Sequence, residues 1–307
     1  MTGRGGALPR ADRAARRTGA ARRTGAAEAS STANGARRAR GALAAATVVG
    51  IAIFAWPFIG RGAPGVWATS AIGLGTAAAA MAVEVGARRL DARGLALLAA
   101  LAALDAGARA VVVTGIGGFS PIFLLILCGG YVFGASYGFL LGATSLLVSA
   151  LVTGGLGPWL PYQLFAAGWV GALAGLVGRK RTGRPGWRDV AVLTAVGVVA
   201  GYGYGVAMDV WNWTFYQSSP ALGFRPGMAL GVAAAHFGRF YLVTSLAYDS
   251  FRAGGNAVMV AALGSPVLVA LARLRARLRT EVVAGAVPAA GAGTPGRRGG
   301  ERQDLPA

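Results

Sequence analysis

Apolar runs close to twenty residues long, set one after another, constrain this chain more than any other feature. They cover residues 41–59, 66–85, 95–113, 121–133, 137–152, 160–177, 190–213 and 257–272. A helix needs about twenty such residues to cross the hydrocarbon of a bilayer. Charged residues make up only 13% of the 307 and hydrophobic ones 55%, where a soluble domain carries about a quarter charged. Mean hydropathy is +0.55. The expectation is an all-α, polytopic integral membrane helical bundle with eight spans.

The formal net charge of +19 suggests nucleic acid at first, but its placement points elsewhere. Residues 1–40 carry ten arginines against Asp12 and Glu28. Arg88, Arg89 and Arg93 form one inner cluster, and Arg179, Lys180, Arg181, Arg184 and Arg188 another. Arg273, Arg275, Arg277 and Arg279 close the last run. These groups sit in tails and short loops beside spans, as cytoplasmic segments do. Basic tails also bind anionic headgroups, at about 1 kcal/mol per residue near the surface. Both termini are therefore expected in the cytoplasm, at the cell membrane, with anionic lipids and no nucleic acid as partners.

Residues 1–40 read as a disordered basic tail, 41–87 as a transmembrane hairpin, 94–280 as the main core and 281–307 as a second disordered tail. The late start of the first apolar run argues against a signal peptide. One cysteine, Cys128, permits no intrachain disulfide, and one histidine, His236, excludes any site needing two imidazoles. The phosphate-loop pattern GxxxxGK[ST] and the zinc-helix pattern HExxH are absent, so no ATPase, metal or cofactor is expected.

Between two runs lies Gly154-Gly155-Leu156-Gly157-Pro158-Trp159-Leu160-Pro161-Tyr162-Gln163. Its glycines permit backbone angles other residues avoid, while Pro158 and Pro161 fix theirs. Pro161 suits the first turn of a helix. A fixed turn at the membrane edge follows, with Trp159, Tyr162 and Gln163 at the mouth of the next helix. Membrane hairpins need turns, and Trp and Tyr gather at interfaces, so the string by itself fits both filler and site.

Three other segments carry polar groups at membrane depth. In 95–113, Asp105 and Arg109 stand at i, i+4, the spacing of a structural ion pair. The same run holds two small-residue ladders, Ala102/Ala106/Ala110 and Ala99/Ala103/Gly107, which let another helix approach closely. In 190–213, Tyr202, Gly205, Asp209 and Asn212 share one face. Asp209 and Asn212 meet Trp211 and Trp213 near the end that also holds the Gly-Pro-Trp turn. Residues 228–251 spread His236, Arg239, Tyr241, Thr244, Ser245, Tyr248 and Asp249 around more than one face. Crossing there would leave the last four arginines outside, so this segment is expected to lie at the outer mouth or dip into the protein; it crosses instead if 121–133, only thirteen residues long, does not.

With these residues in hand, 94–280 resembles the substrate-binding S components of energy-coupling-factor vitamin importers. The resemblance is carried by Gly129-Gly130-Tyr131-Val132-Phe133-Gly134, by Gly138-Phe139 with Gly142, and by the Gly-Pro-Trp string with Pro161 and Gln163. Tyr204-Gly205, Met208 to Trp213, and Thr244-Ser245 with Asp249 add to it. It implies a six-helix S-component-like core, to which 41–87 is an extra N-terminal two-helix hairpin. It also implies a non-enzymatic subunit that binds a vitamin at the outer face. Such a subunit docks through small residues of its first core helix on a transmembrane coupling subunit joined to two ATPase subunits. Ala99, Ala102, Ala103, Ala106, Gly107 and Ala110 supply that face here. The nearest likeness is to the cobalamin-type branch. Trp159, Trp211 and Trp213 with Tyr162, Gln163, Asp209 and Asn212 would receive the ligand, although the same groups suit a small flat heterocycle.

Two other classes compete. One is an intramembrane enzyme, such as a transferase using Asp209, His236 and Arg239 with Asp105 and Asp249; its carboxylates lack a paired i, i+4 motif. The other is a small channel or scaffold packed by glycine and alanine. Among single residues, His236 reads as a satisfied polar group, Cys128 as packing, and Glu84 as the partner of Arg88. Trp56 and Trp67 read as an interfacial belt.

Overall fold

The computed structural model describes residues 10–59, 66–86, 91–111, 120–179, 181, 183–217 and 219–285. Among them are nine helices and no strand: α1 (Arg10–Ile59), α2 (Val66–Gly86), α3 (Ala92–Val111), α4 (Ile122–Phe133), α5 (Ala135–Thr153), α6 (Leu160–Gly178), α7 (Trp187–Trp213), α8 (Leu230–Thr244) and α9 (Leu246–Gly285). Six are long and apolar enough to cross a membrane: Ala33–Ile59 of α1, α3, α5, α6, α7, and Leu246–Leu278 of α9. The chain is thus an all-α bundle of multi-pass membrane character; of the eight spans expected, 66–85 and 121–133 are not among these six, their described apolar helices being shorter.

Glycine packing holds the centre together. A methyl group at Gly138 of α5 would fall on the carbonyl of Gly171 in α6, and one at Gly142 on the carbonyl of Ala167. Only hydrogen at these positions lets the two backbones approach so closely. α4 joins the pair through Gly130, which also faces the Gly171 carbonyl. The glycine strings that look like family signatures are, physically, the seams of the α4–α5–α6 core. α4 has only 12 residues, about 18 Å of helix. It is buried along almost its whole length, from Ile122 to Val132. Its shortness is tolerated because protein surrounds it.

One end of the bundle is basic and tied down by polar groups. Asp189 accepts a bond from Tyr131 of α4 (2.8 Å) and from its own helix start at Gly186 N (2.8 Å), and pairs with Arg181 (3.5 Å). Arg275 of α9 donates to the Val132 carbonyl at the same end. The ends of α4, α6, α7 and α9 are fastened there together.

Several expectations need correction. The basic leader forms part of a helix from Arg10 onward; Ala and Arg are good helix formers. Residues 228–251 are not one segment. The helix breaks at Ser245, where φ is −123°, and the remainder joins α9, lengthening the last span back to Leu246. Asp105 and Arg109 form no ion pair. Asp105, 1% exposed, accepts instead from Ser145 of α5 at 2.9 Å. The ladders of α3 part company: Ala102 and Ala106 are each 1% exposed inside the bundle, with Ala110 half-buried beside them. Ala99, Ala103 and Gly107 lie on the exposed face. The outer turn at 60–65, Arg88, Lys180 and the side chains of Glu84 and Trp67 lie outside what the structure describes.

Candidate functional site

The Gly-Pro-Trp string closes α5 and opens α6. Gly154 caps α5 in the left-handed region (φ 68°), and its N–H and that of Gly155 both reach Ala150 O. Gly is the residue that adopts this conformation without strain. Pro161 stands within the first turn of α6, and Gln163 N bonds Trp159 O at 3.0 Å. The Trp159 indole folds back over the turn, donating from Nε1 to Gly155 O at 3.2 Å. A side chain at Gly157 would collide with that ring.

From this turn an aromatic row runs across the end of the bundle. Trp211 of α7 meets Trp159 edge-on (centroids 6.4 Å apart, 72° between planes), Tyr162 at 5.6 Å and Phe215 at 5.1 Å. Tyr162, 3% exposed, in turn meets Phe54 of α1 at 4.9 Å. Trp159, Tyr162 and Trp211 are therefore gathered as the sequence suggests. Gln163 stands part-buried one turn along α6, and Asn212 is exposed beside them. Phe54 and Phe215 belong to the same row. Only helix packing could reveal them, because one comes from the hairpin and the other from beyond the span.

Trp213 takes a different part. It is 2% exposed and donates from Nε1 to Leu222 O at 2.7 Å. Phe224, Phe237 and, from α1, Phe58 pack around it. It pins the 214–229 connection and α8 to the bundle, away from Trp159. His236 lies in the same layer and bonds Gly223 O through Nδ1 at 3.1 Å, the satisfied polar role its isolation suggests. Cys128 is fully buried packing.

Asp209 points away from the aromatic row because it sits two residues before Trp211, on the opposite side of α7. Its Oδ1 accepts from Ser245 at the α8–α9 break (2.9 Å). One and two turns into α9, Asp249 pairs with Arg252, whose guanidinium lies 5.4 Å from the rings of both Tyr204 and Tyr248. The Asp249 carboxylate rests directly on Gly205, where a methyl group would strike it. Tyr202 and Ser250 exchange a bond at 3.0 Å on the same seam. Tyr241 of α8 stands beside Asp249. Burial and then that carboxylate push its phenol up to about 12, so it remains a hydrogen-bond donor at neutral pH. The polar face on 190–213 foreshadows half of this cluster. Arg252 is the missed member; its signal is the i, i+3 spacing from Asp249.

The letters Gly134-Ala135-Ser136-Tyr137-Gly138 spell GxSxG, the string of a nucleophile elbow, which needs a strand-to-helix turn. Here a helix–helix turn takes that place, and His236 is committed to Gly223. Among the described residues no three His, Cys, Asp or Glu gather as metal ligands. Comparison with family models, curated proteins and solved structures returned no match.

Proposed function

We propose that this chain is the substrate-specific membrane subunit of an energy-coupling-factor importer. It would bind a vitamin or related micronutrient at the outer face, a corrinoid such as cobalamin being one candidate. Uptake would be driven by two separate ATPase subunits through a transmembrane coupling subunit. The observation that carries the reading is the Gly-Pro-Trp turn. It brings the half-exposed Trp159 ring and the Gln163 amide to the end of α6, against Trp211 of α7. An aromatic face with a nearby amide is the usual make-up of a small-molecule site. The end opposite the arginine clusters is the outer one under the positive-inside rule. The exposed Ala99/Ala103/Gly107 face of α3 supplies a close-approach surface for a coupling subunit.

The enzyme reading draws less support. His236 bonds a backbone carbonyl, Arg239 is exposed on α8, and Asp105 lies on another seam, bonded to Ser145. Native mass spectrometry of the purified full-length protein is expected to reveal a bound vitamin. Uptake of that vitamin by cells is expected to require a coupling subunit and an ATPase pair. Protein that carries no small molecule and restores no vitamin uptake when given such a module would remove the reading.

A further inference from the structure

We infer that the outward side of α8 is seated in the phospholipid interface of the outer leaflet, with Arg239 bonded to lipid phosphate. The inference rests on the membrane class of the chain and not on the importer reading. α8 has 15 residues, too few to cross a bilayer, so its depth is read from its neighbours. α7 supplies the scale. It starts at Trp187, 76% exposed, with the Arg188 guanidinium 5.5 Å from its ring, residues that anchor a span at an interface. About twenty residues from there cross the hydrocarbon, and α7 has 27, so its last turns stand in the outer interface. α8 is held at that level by three contacts. Phe237 meets Trp213 at 5.4 Å, Phe240 meets Tyr216 at 5.2 Å, and Ser245, which ends the helix, bonds Asp209 at 2.9 Å.

Both sides of α8 are apolar. Phe240 is buried, with Ala233 and Phe237 packed beside it, while Leu230, Val232, Leu242 and Val243 face outward at 86%, 48%, 63% and 73% exposure. A helix apolar all round belongs under protein or lipid. The exposed side continues along α9 through Leu246, Phe251 and Val258, on a helix long and apolar enough to cross the membrane. Its side chains are large, unlike the small residues by which membrane helices approach one another closely, so lipid and not a second copy is the occupant. Arg239 is the one charged residue of α8, it is exposed, and no carboxylate among the described residues pairs with it. It stands one turn from Leu242 and Val243, where its stem can lie along the apolar side while its head reaches the headgroups. A guanidinium holds a phosphate through two parallel N–H bonds.

The test uses the full-length protein in lipid discs of phosphatidylethanolamine and phosphatidylglycerol. Cys128 is fully buried, so Leu242→Cys and Val243→Cys each take a single nitroxide label. Val258→Cys on α9 supplies the lipid benchmark, and Arg184→Cys, in the exposed turn before α7, the aqueous one. Collision with oxygen, which concentrates among acyl chains, is compared with collision with a water-soluble nickel chelate. Labels at 242 and 243 are expected to give an oxygen-to-nickel ratio several-fold above that at 184, approaching that at 258. Arg239→Glu, which sets a carboxylate against phosphate, is expected to lower the ratio at 242 by about twofold or more, and Arg239→Lys to preserve it. Ratios at 242 and 243 equal to that at 184 place this side in water and overturn the inference. Low collision with both reagents shows a second copy covering it, which overturns the inference too. An unchanged ratio in Arg239→Glu removes the phosphate contact.

Discussion

At the scale of single residues, Trp159 and Trp213 show how similar side chains at neighbouring helix ends separate into different roles. Trp159 is 37% exposed and its indole bonds its own turn; Trp213 is buried and bonds Leu222 O. Trp159→Ala and Gln163→Ala are each expected to weaken vitamin binding to purified protein without lowering expression, as titration of the variants would read. Trp56→Ala, exposed on α1, is expected to bind as wild type. Trp213→Phe should instead lower the unfolding midpoint, since it strands the Leu222 carbonyl and forfeits about 0.5–1.5 kcal/mol. A melting curve identical to wild type would show that the 214–229 connection does not depend on that bond.

At the scale of elements, the behaviour of α3 and of the α5–α6 seam follows from which faces are covered. Ala102→Leu forces bulk into the bundle and is expected to destabilise by about 1–3 kcal/mol. Ala103→Leu, on the exposed face, is expected to leave folding and vitamin binding intact while impairing uptake through a coupling subunit. Equal loss of binding and uptake in Ala103→Leu would assign that face to internal folding. Gly138→Ala is expected to be at least as damaging as Ala102→Leu, because its methyl meets the Gly171 backbone and not a side chain that can turn aside. Its melting temperature, beside that of Gly75→Ala on α2, where nothing lies within 4 Å, measures the difference.

At the scale of the whole molecule, the arginine-rich end and the aromatic end give the bundle a polarity. A reporter active only outside the cell, fused to Ala307, is expected to give no signal; activity there would overturn the placement of both termini in the cytoplasm. The sequence by itself determined the class of this protein, because an unbroken apolar run near twenty residues can satisfy its own backbone in lipid only as a helix. It also marked the Gly-Pro-Trp turn, since proline and glycine act locally and their backbone limits need no partner. Tertiary structure decided what depends on neighbours. It chose which of α3's two alanine ladders is covered, and gave Asp105 a serine on another helix in place of Arg109 at i+4. It turned Asp209 away from the tryptophans toward Ser245 at the α8–α9 break. Spacing along one helix fixes which residues share a face, but the side on which the next helix packs is settled only when glycine seams and buried polar groups find their partners across the bundle.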